Sequence, residues 1–130
     1  MLLSQDRDSI LESVGLSTWP EQSNILDHPA RIKLVAGGER AGKSFLGALS
    51  IISRLDEFEP DDIVWLVARD YERTRAEWNY LTDILEKMGF LIKQTKRIDP
   101  GELTAACGST DNPGTFTIKT KSAQDHRSLA

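Results

Sequence analysis

The chain has 130 residues, 39% of them hydrophobic and 28% charged, with a formal net charge of −4. That is one domain's worth of polypeptide, able to bury a single core, and the balance excludes a disordered or fibrous chain. No apolar run approaches the roughly 18 residues of a membrane span, and the N-terminus turns polar at Ser4-Gln5-Asp6-Arg7-Asp8, too soon for a signal peptide.

In chain order, Ser4 to Val14 places Ile10, Leu11 and Val14 at helical spacing, with Ser4 or Asp6 as N-cap. A polar connector with Trp19-Pro20 follows, then Gln22, Ile25 and Leu26, which read as a short helix ending near Asp27-His28-Pro29. Ile32 to Ala36 is short and apolar and runs straight into Gly37-Gly38, the pattern of a strand ending in a tight turn. From Lys43, the residues Phe45, Leu46, Leu49, Ile52 and Leu55 recur every three or four positions, a helix with one buried face. Pro60 helps break it, and Ile63 to Ala68 reads as a parallel strand covered on both faces. Asp70 caps a long amphipathic helix through Trp78, Leu81, Leu85 and Met88, closed by Gly89. Phe90 to Thr95, Leu103 to Cys107 and Thr115 to Thr120 read as strands, with turns at Pro100-Gly101 and Asp111-Asn112-Pro113-Gly114. The alternation of strands and helices predicts a parallel α/β sheet. The tail from Ser122 is polar and reads as lacking a terminating element.

One motif carries chemistry. Gly37-Gly38-Glu39-Arg40-Ala41-Gly42-Lys43-Ser44 fits the P-loop pattern G-x-x-x-x-G-K-[ST] at every fixed position, between an expected strand and an expected helix. The glycines let successive backbone N–H groups turn toward phosphate oxygens, and the helix start adds its positive dipole end. Lys43 can reach the β- and γ-phosphates as a mobile point charge, and the Ser44 hydroxyl can ligate magnesium. Arg40 has two open readings: a guanidinium near the γ-phosphate that stabilises transition-state charge, or a solvated loop arginine paired with Glu39. Gln22 likewise carries an amide that matches the hydrogen-bonding edge of adenine, against the plainer reading of a surface glutamine.

The remaining candidates read more plainly. Asp70 follows an apolar strand as magnesium-binding acids do, but Arg69 intervenes and a helix follows, so it reads as an N-cap. His28 and His126 lack partners at metal-ligand spacing. Trp65 and Trp78 read as core residues and Trp19 as a cover for the nucleotide pocket. Glu57, Glu59, Asp61 and Asp62 form a solvated loop. The lone Cys107 cannot make an internal disulfide, which points to a reducing cytoplasm, and reads as a small buried hydrophobe. The net negative charge argues against this segment being a principal nucleic-acid grip.

Taken together, Trp19-Pro20-Glu21-Gln22 and the stretch Ala30 to Ser44 resemble the large terminase subunit of tailed bacteriophages, whose P-loop contains an arginine and follows a glutamine-containing adenine motif. The stretch Val67 to Glu77 is similar to the family segment after its second strand, and Thr120 to Leu129 to the loop before its acidic magnesium strand. The resemblance implies a three-layer, RecA-like P-loop NTPase with an incomplete parallel sheet. Residues 1–30 would be an N-terminal helical segment bearing the adenine motif, and 31–130 the sheet core with the P-loop. The cofactors would be ATP and Mg²⁺, held by Gln22 and by Gly37, Gly38, Glu39, Arg40, Ala41, Gly42, Lys43 and Ser44. Arg40 and Lys43 would be catalytic and Ser44 the magnesium ligand.

The activity implied is ATP hydrolysis that drives double-stranded DNA into a procapsid in the host cytoplasm, with the portal ring and the small terminase subunit as partners and no membrane. Family members run to several hundred residues. The magnesium strand, catalytic glutamate and C-terminal nuclease domain have no counterpart here, so the chain is expected to be a piece of a longer protein, inactive alone and prone to self-association through exposed sheet edges. The alternatives are a complete small P-loop enzyme such as a nucleotide kinase, and a non-catalytic nucleotide-binding or assembly module.

Overall fold

A computed structural model describes residues 4–13, 15–30, 32–33, 42–55, 57–108 and 113–129. Four α-helices, α1 (Ser4–Ser13), α2 (Pro20–Asp27), α3 (Lys43–Ile52) and α4 (Arg75–Lys87), accompany four strands, β1 (Ile63–Ala68), β2 (Leu91–Gln94), β3 (Glu102–Gly108) and β4 (Pro113–Ser122). The strand order across the sheet is β1-β4-β3-β2. The fold class is α/β, as expected.

The sheet is mixed rather than wholly parallel. β1 and β4 run parallel, with Ile63 opposite Thr117 and Ala68 opposite Ser122. β3 pairs antiparallel with both β4 and β2. The reason lies in the connections: 95–101 and 109–112 are too short for the crossover of a dozen or more residues that a parallel return requires. Between β1 and β4 the chain does make such a crossover, through α4 and the β2–β3 pair.

One face of the sheet is the core. Phe116 and Ile118 of β4 and Leu103 and Ala105 of β3 are fully buried among Leu46, Leu49 and Ile52 of α3 and Trp78, Leu81, Ile84 and Leu85 of α4. Each such side chain contributes roughly 1.5–3 kcal/mol on burial. α3 and α4 pack against each other at Gly47, where the Glu77 side chain approaches closely, and through a tilted Phe45–Tyr80 pair with ring centroids 5.2 Å apart. Leu11 of α1 and Leu26 of α2 join the same core.

The other face is open. Ile63, Trp65 and Val67 alternate outward along β1 and are exposed, Trp65 by 46%, so the expectation that β1 is covered on both faces and that Trp65 is a core residue is corrected. Lys121 of β4 lies over the Trp65 ring, 4.8 Å from its centroid. The third layer implied by the resemblance has no element among the described residues.

The ends of the elements follow the expected chemistry. Asp70 accepts a hydrogen bond from the Arg73 N–H at 3.1 Å and opens a 3-10 turn, Tyr71–Thr74, that runs into α4. Gly89, at φ +76°, takes the left-handed conformation that stops α4. The tail is less bare than its composition suggests: Ser122 Oγ donates to the Arg69 carbonyl, Ala123 N donates to that of Ala68, and a 3-10 turn spans His126–Leu129.

Two buried polar side chains hold distant segments together. Arg7 on α1, 1% exposed, donates from Nη1 to Asp27 at the end of α2 at 2.7 Å. Thr120 on β4 donates from Oγ1 to the Ile98 carbonyl and accepts from the Gly101 N–H, both at 2.6 Å, which pins the β2–β3 connection to the sheet. Removing that hydroxyl strands a buried N–H, at a cost of about 1–3 kcal/mol. Thr120→Val is therefore expected to lower the urea unfolding midpoint by that margin with an unchanged m-value; an unaltered midpoint would contradict the bonding described.

Candidate nucleotide-binding site

The P-loop motif divides at Gly42. Gly37, Gly38, Glu39, Arg40 and Ala41 lie outside the described residues, as do Leu34, Val35 and Ala36 of the expected strand. Ile32 and Lys33 form an irregular connection rather than the start of a strand. Gly42, Lys43 and Ser44 are described, and they form the start of α3.

That start has the properties of an anion seat. Gly42 is the N-cap at φ +80°, ψ +19°, a left-handed conformation natural to glycine. Its carbonyl accepts the first helical hydrogen bond, from Leu46 N at 3.0 Å. No side chain caps the helix and no acidic residue sits in its first turn. The first turn of any helix has N–H donors without intrahelical partners at the positive end of its dipole, and the first turn of α3 itself contains no acidic residue. Lys43 is exposed and Ser44 half-buried.

Gln22 is brought to the same place from α2. Pro20 occupies the first turn of that helix, where its missing N–H costs nothing. Gln22, three residues into the helix, turns its side chain back so that Oε1 accepts from Trp19 N at 2.9 Å, one half of a capping box. Its Nε2 points the other way and donates to the Gly42 carbonyl at 3.4 Å. Gln22 is only 5% exposed, so the plain reading of a surface glutamine is set aside. A side chain at position 42 would lie 2.5 Å from Gln22 Nε2 and 3.5 Å from the Trp19 ring. Trp19 is 54% exposed and flanks the glycine.

A hollow of about 280 Å³ opens between α2 and α3, lined by Lys33 and Lys43 together with Ile25, Leu26, Leu46, Gly47 and Ser50. Lys33 closes α2, donating to the carbonyls of Ile25 at 2.8 Å and Leu26 at 3.3 Å. Sequence reasoning placed Lys33 in a strand and missed this role, for which the only signal is a cation just beyond a helix C-terminus.

Glu72 and Arg75 share a hydrogen-bonded ion pair that lowers the carboxyl and raises the guanidinium from their usual ranges. Burial, with smaller effects from Asp62 and Asp61, pushes the half-buried Cys107 thiol up, which disfavours the reactive thiolate. Among the described residues no group of three or more His, Cys, Asp or Glu side chains could hold a metal ion, and no helix is long and apolar enough to cross a membrane.

The backbone at Gly42 allows a direct test. A left-handed conformation costs a non-glycine residue about 1–2 kcal/mol, and the added methyl would also displace Gln22. Gly42→Ala is expected to lower the thermal unfolding midpoint and to weaken binding of a phosphate chain; a variant that melts and binds like the parent would show that the glycine is not held this way.

No family model matches the sequence, and no curated protein matches it. Two solved structures are similar. A point variant of the large terminase ATPase domain of Thermus phage P74-26 superposes with a TM-score of 0.70 at 18% identity, and the unsubstituted domain with a TM-score of 0.68 at 16%. Each match covers 95% of this chain and 53% of the other, so the chain spans about half the length of those domains. At that identity the likeness shows the fold alone, an open α/β sheet similar to part of the P74-26 large terminase ATPase domain.

Proposed function

We propose that the chain is the ATP-binding part of a viral large terminase subunit, whose complete form powers the packaging of double-stranded DNA into a procapsid. The observation that carries the reading is the start of α3: a left-handed Gly42 followed by Lys43 and Ser44, with no acidic residue and no side-chain cap in the first turn. Read with the glycines and Arg40 that precede it in the sequence, this is a seat for the β- and γ-phosphates of ATP.

The residues present fit a magnesium–triphosphate. Lys43 would supply positive charge to the terminal phosphates, and the backbone N–H groups of the first turn would bind phosphate oxygens, the N-cap Gly42 having no side chain to compete. Ser44 supplies the hydroxyl that would hold magnesium. Magnesium held there would supply positive charge to the phosphates. Arg40, on the strength of the family pattern, would act as a sensor or finger toward the γ-phosphate, and Gln22 lies where the adenine motif is expected.

The proposal assigns the portal ring, the small terminase subunit and DNA to the full-length protein as partners, and the infected host's cytoplasm as its place of action. Among the described residues no side chain is identifiable as the base that would activate water, and the chain is expected to bind nucleotide and turn it over negligibly.

Calorimetry with ATP and magnesium tests the reading. The parent chain is expected to bind, and Lys43→Ala to bind about 10- to 100-fold more weakly, because a hydrogen bond to a charged group contributes roughly 1.5–3 kcal/mol. Absence of binding at millimolar nucleotide would favour a non-catalytic assembly module instead. Robust ATP hydrolysis by the purified chain, lost in Lys43→Ala, would refute the expectation of an inactive piece.

A further inference from the structure

We infer that Gln22 is a positioning residue for the phosphate loop, acting through the peptide unit that joins Gly42 to Lys43; this rests on the nucleotide-site reading above. The Gly42 carbonyl and the Lys43 N–H belong to one planar trans peptide, so they point in opposite directions and turn together. Two donors fix the carbonyl: Leu46 N at 3.0 Å and Gln22 Nε2 at 3.4 Å. Holding the oxygen toward α3 and α2 therefore aims the Lys43 N–H out of the helix start, where a phosphate oxygen would lie.

The glutamine is itself held. Its Oε1 accepts from Trp19 N at 2.9 Å and its side chain is almost wholly buried. An amide offers an oxygen with two lone pairs and a nitrogen with two N–H groups, and each end is engaged once within the protein. Base reading by Gln22 would require the side chain to leave this site and expose its polar edge. Gly42 completes the fit, because a Cβ there would stand 2.5 Å from Gln22 Nε2 and displace it. Gln22 thus acts on the phosphates, whichever base the nucleotide carries.

Binding of ATP, GTP and inorganic tripolyphosphate, each with magnesium, by the parent chain, Gln22→Ala and Gln22→Glu decides the matter. Calorimetry is run well below the melting midpoints of all three proteins, where a loss of fold stability alone leaves the dissociation constant unchanged. Gln22→Ala is expected to weaken all three ligands by the same factor, about three- to tenfold for one neutral hydrogen bond. Gln22→Glu, which keeps the acceptor for Trp19 N but sets an oxygen against the Gly42 carbonyl, is expected to weaken all three further. If Gln22→Ala fails to fold, Gln22→Met fills the same volume without polar ends and serves in its place.

A loss confined to ATP would overturn the inference and make Gln22 an adenine reader, while undiminished binding of all three ligands would overturn it outright; in both cases the nucleotide-site reading survives. A parent chain that binds none of the three removes that reading and this inference together.

Discussion

The Gly42 carbonyl is the point on which the described half of the phosphate loop turns. A helix start leaves its first N–H groups without intrahelical partners, and most proteins satisfy them with a Ser, Thr, Asp or Asn side chain. Here the N-cap is a glycine in a left-handed conformation, which supplies no such group. The loss of capping, on the order of 1 kcal/mol, leaves these donors to be met from outside. What keeps the uncapped start from fraying is the carbonyl side of the same residue, which closes the first turn of α3 and accepts from a buried glutamine on another helix. The end of the motif is thus ordered from behind by these two contacts.

The sheet supports that arrangement from one side only. α3 and α4 lay their apolar stripes on β3 and β4 and on each other, so the orientation of α3, and with it the direction of its N-terminus, is set by core packing rather than by the loop that precedes it. The opposite face carries the alternate residues of β1 and β4, where Ile63, Trp65 and Val67 stand beside Thr117, Lys119 and Lys121. A lysine over the Trp65 ring moderates this exposure by a cation–π contact, worth about 0.5–1 kcal/mol at an exposed site. Contiguous exposed apolar residues on a sheet face mark surfaces that other groups can cover.

Much of this was legible in the sequence, for reasons that differ by element. The helices α3 and α4 announced themselves because a buried stripe repeats at helical period, and Asp70 and Gly89 mark the start and end of the second of them by local backbone chemistry alone. The P-loop was legible because each of its fixed residues has a separate chemical duty. The direction of β2 and β3 was misread because strand periodicity is the same in parallel and antiparallel pairs; the shortness of the intervening loops carried the answer. The exposure of Trp65 was illegible because an apolar run shows that residues avoid water, not how many faces have a partner. Arg7 and Thr120 were missed because a buried polar residue depends on bonding partners 20 and 22 positions away in sequence, Asp27 and Ile98, which no local pattern encodes. Gln22 was noticed for its amide, while the capping-box position three residues after Trp19, which explains where that amide points, was there to be used.

A chain with net charge −4 can nevertheless offer a seat to a triphosphate, because net charge is the wrong measure at this range. Many of its carboxylates are spent locally: Glu72 on Arg75, Asp70 on Arg73 and Asp83 on Lys87, each pair three or four residues apart on its own element. A paired carboxylate presents a dipole whose field falls off faster than that of a charge, and beyond a screening length of about 8 Å at physiological salt an exposed charge is largely silent. The acidic loop from Glu57 to Asp62 likewise turns inward on itself, with Asp62 accepting from the Glu59 N–H. The start of α3 has no carboxylate in its first turn and carries Lys43 there. What a phosphate meets at that point is therefore decided by groups within a helical turn rather than by net charge, and among the described residues there Lys43 is positive.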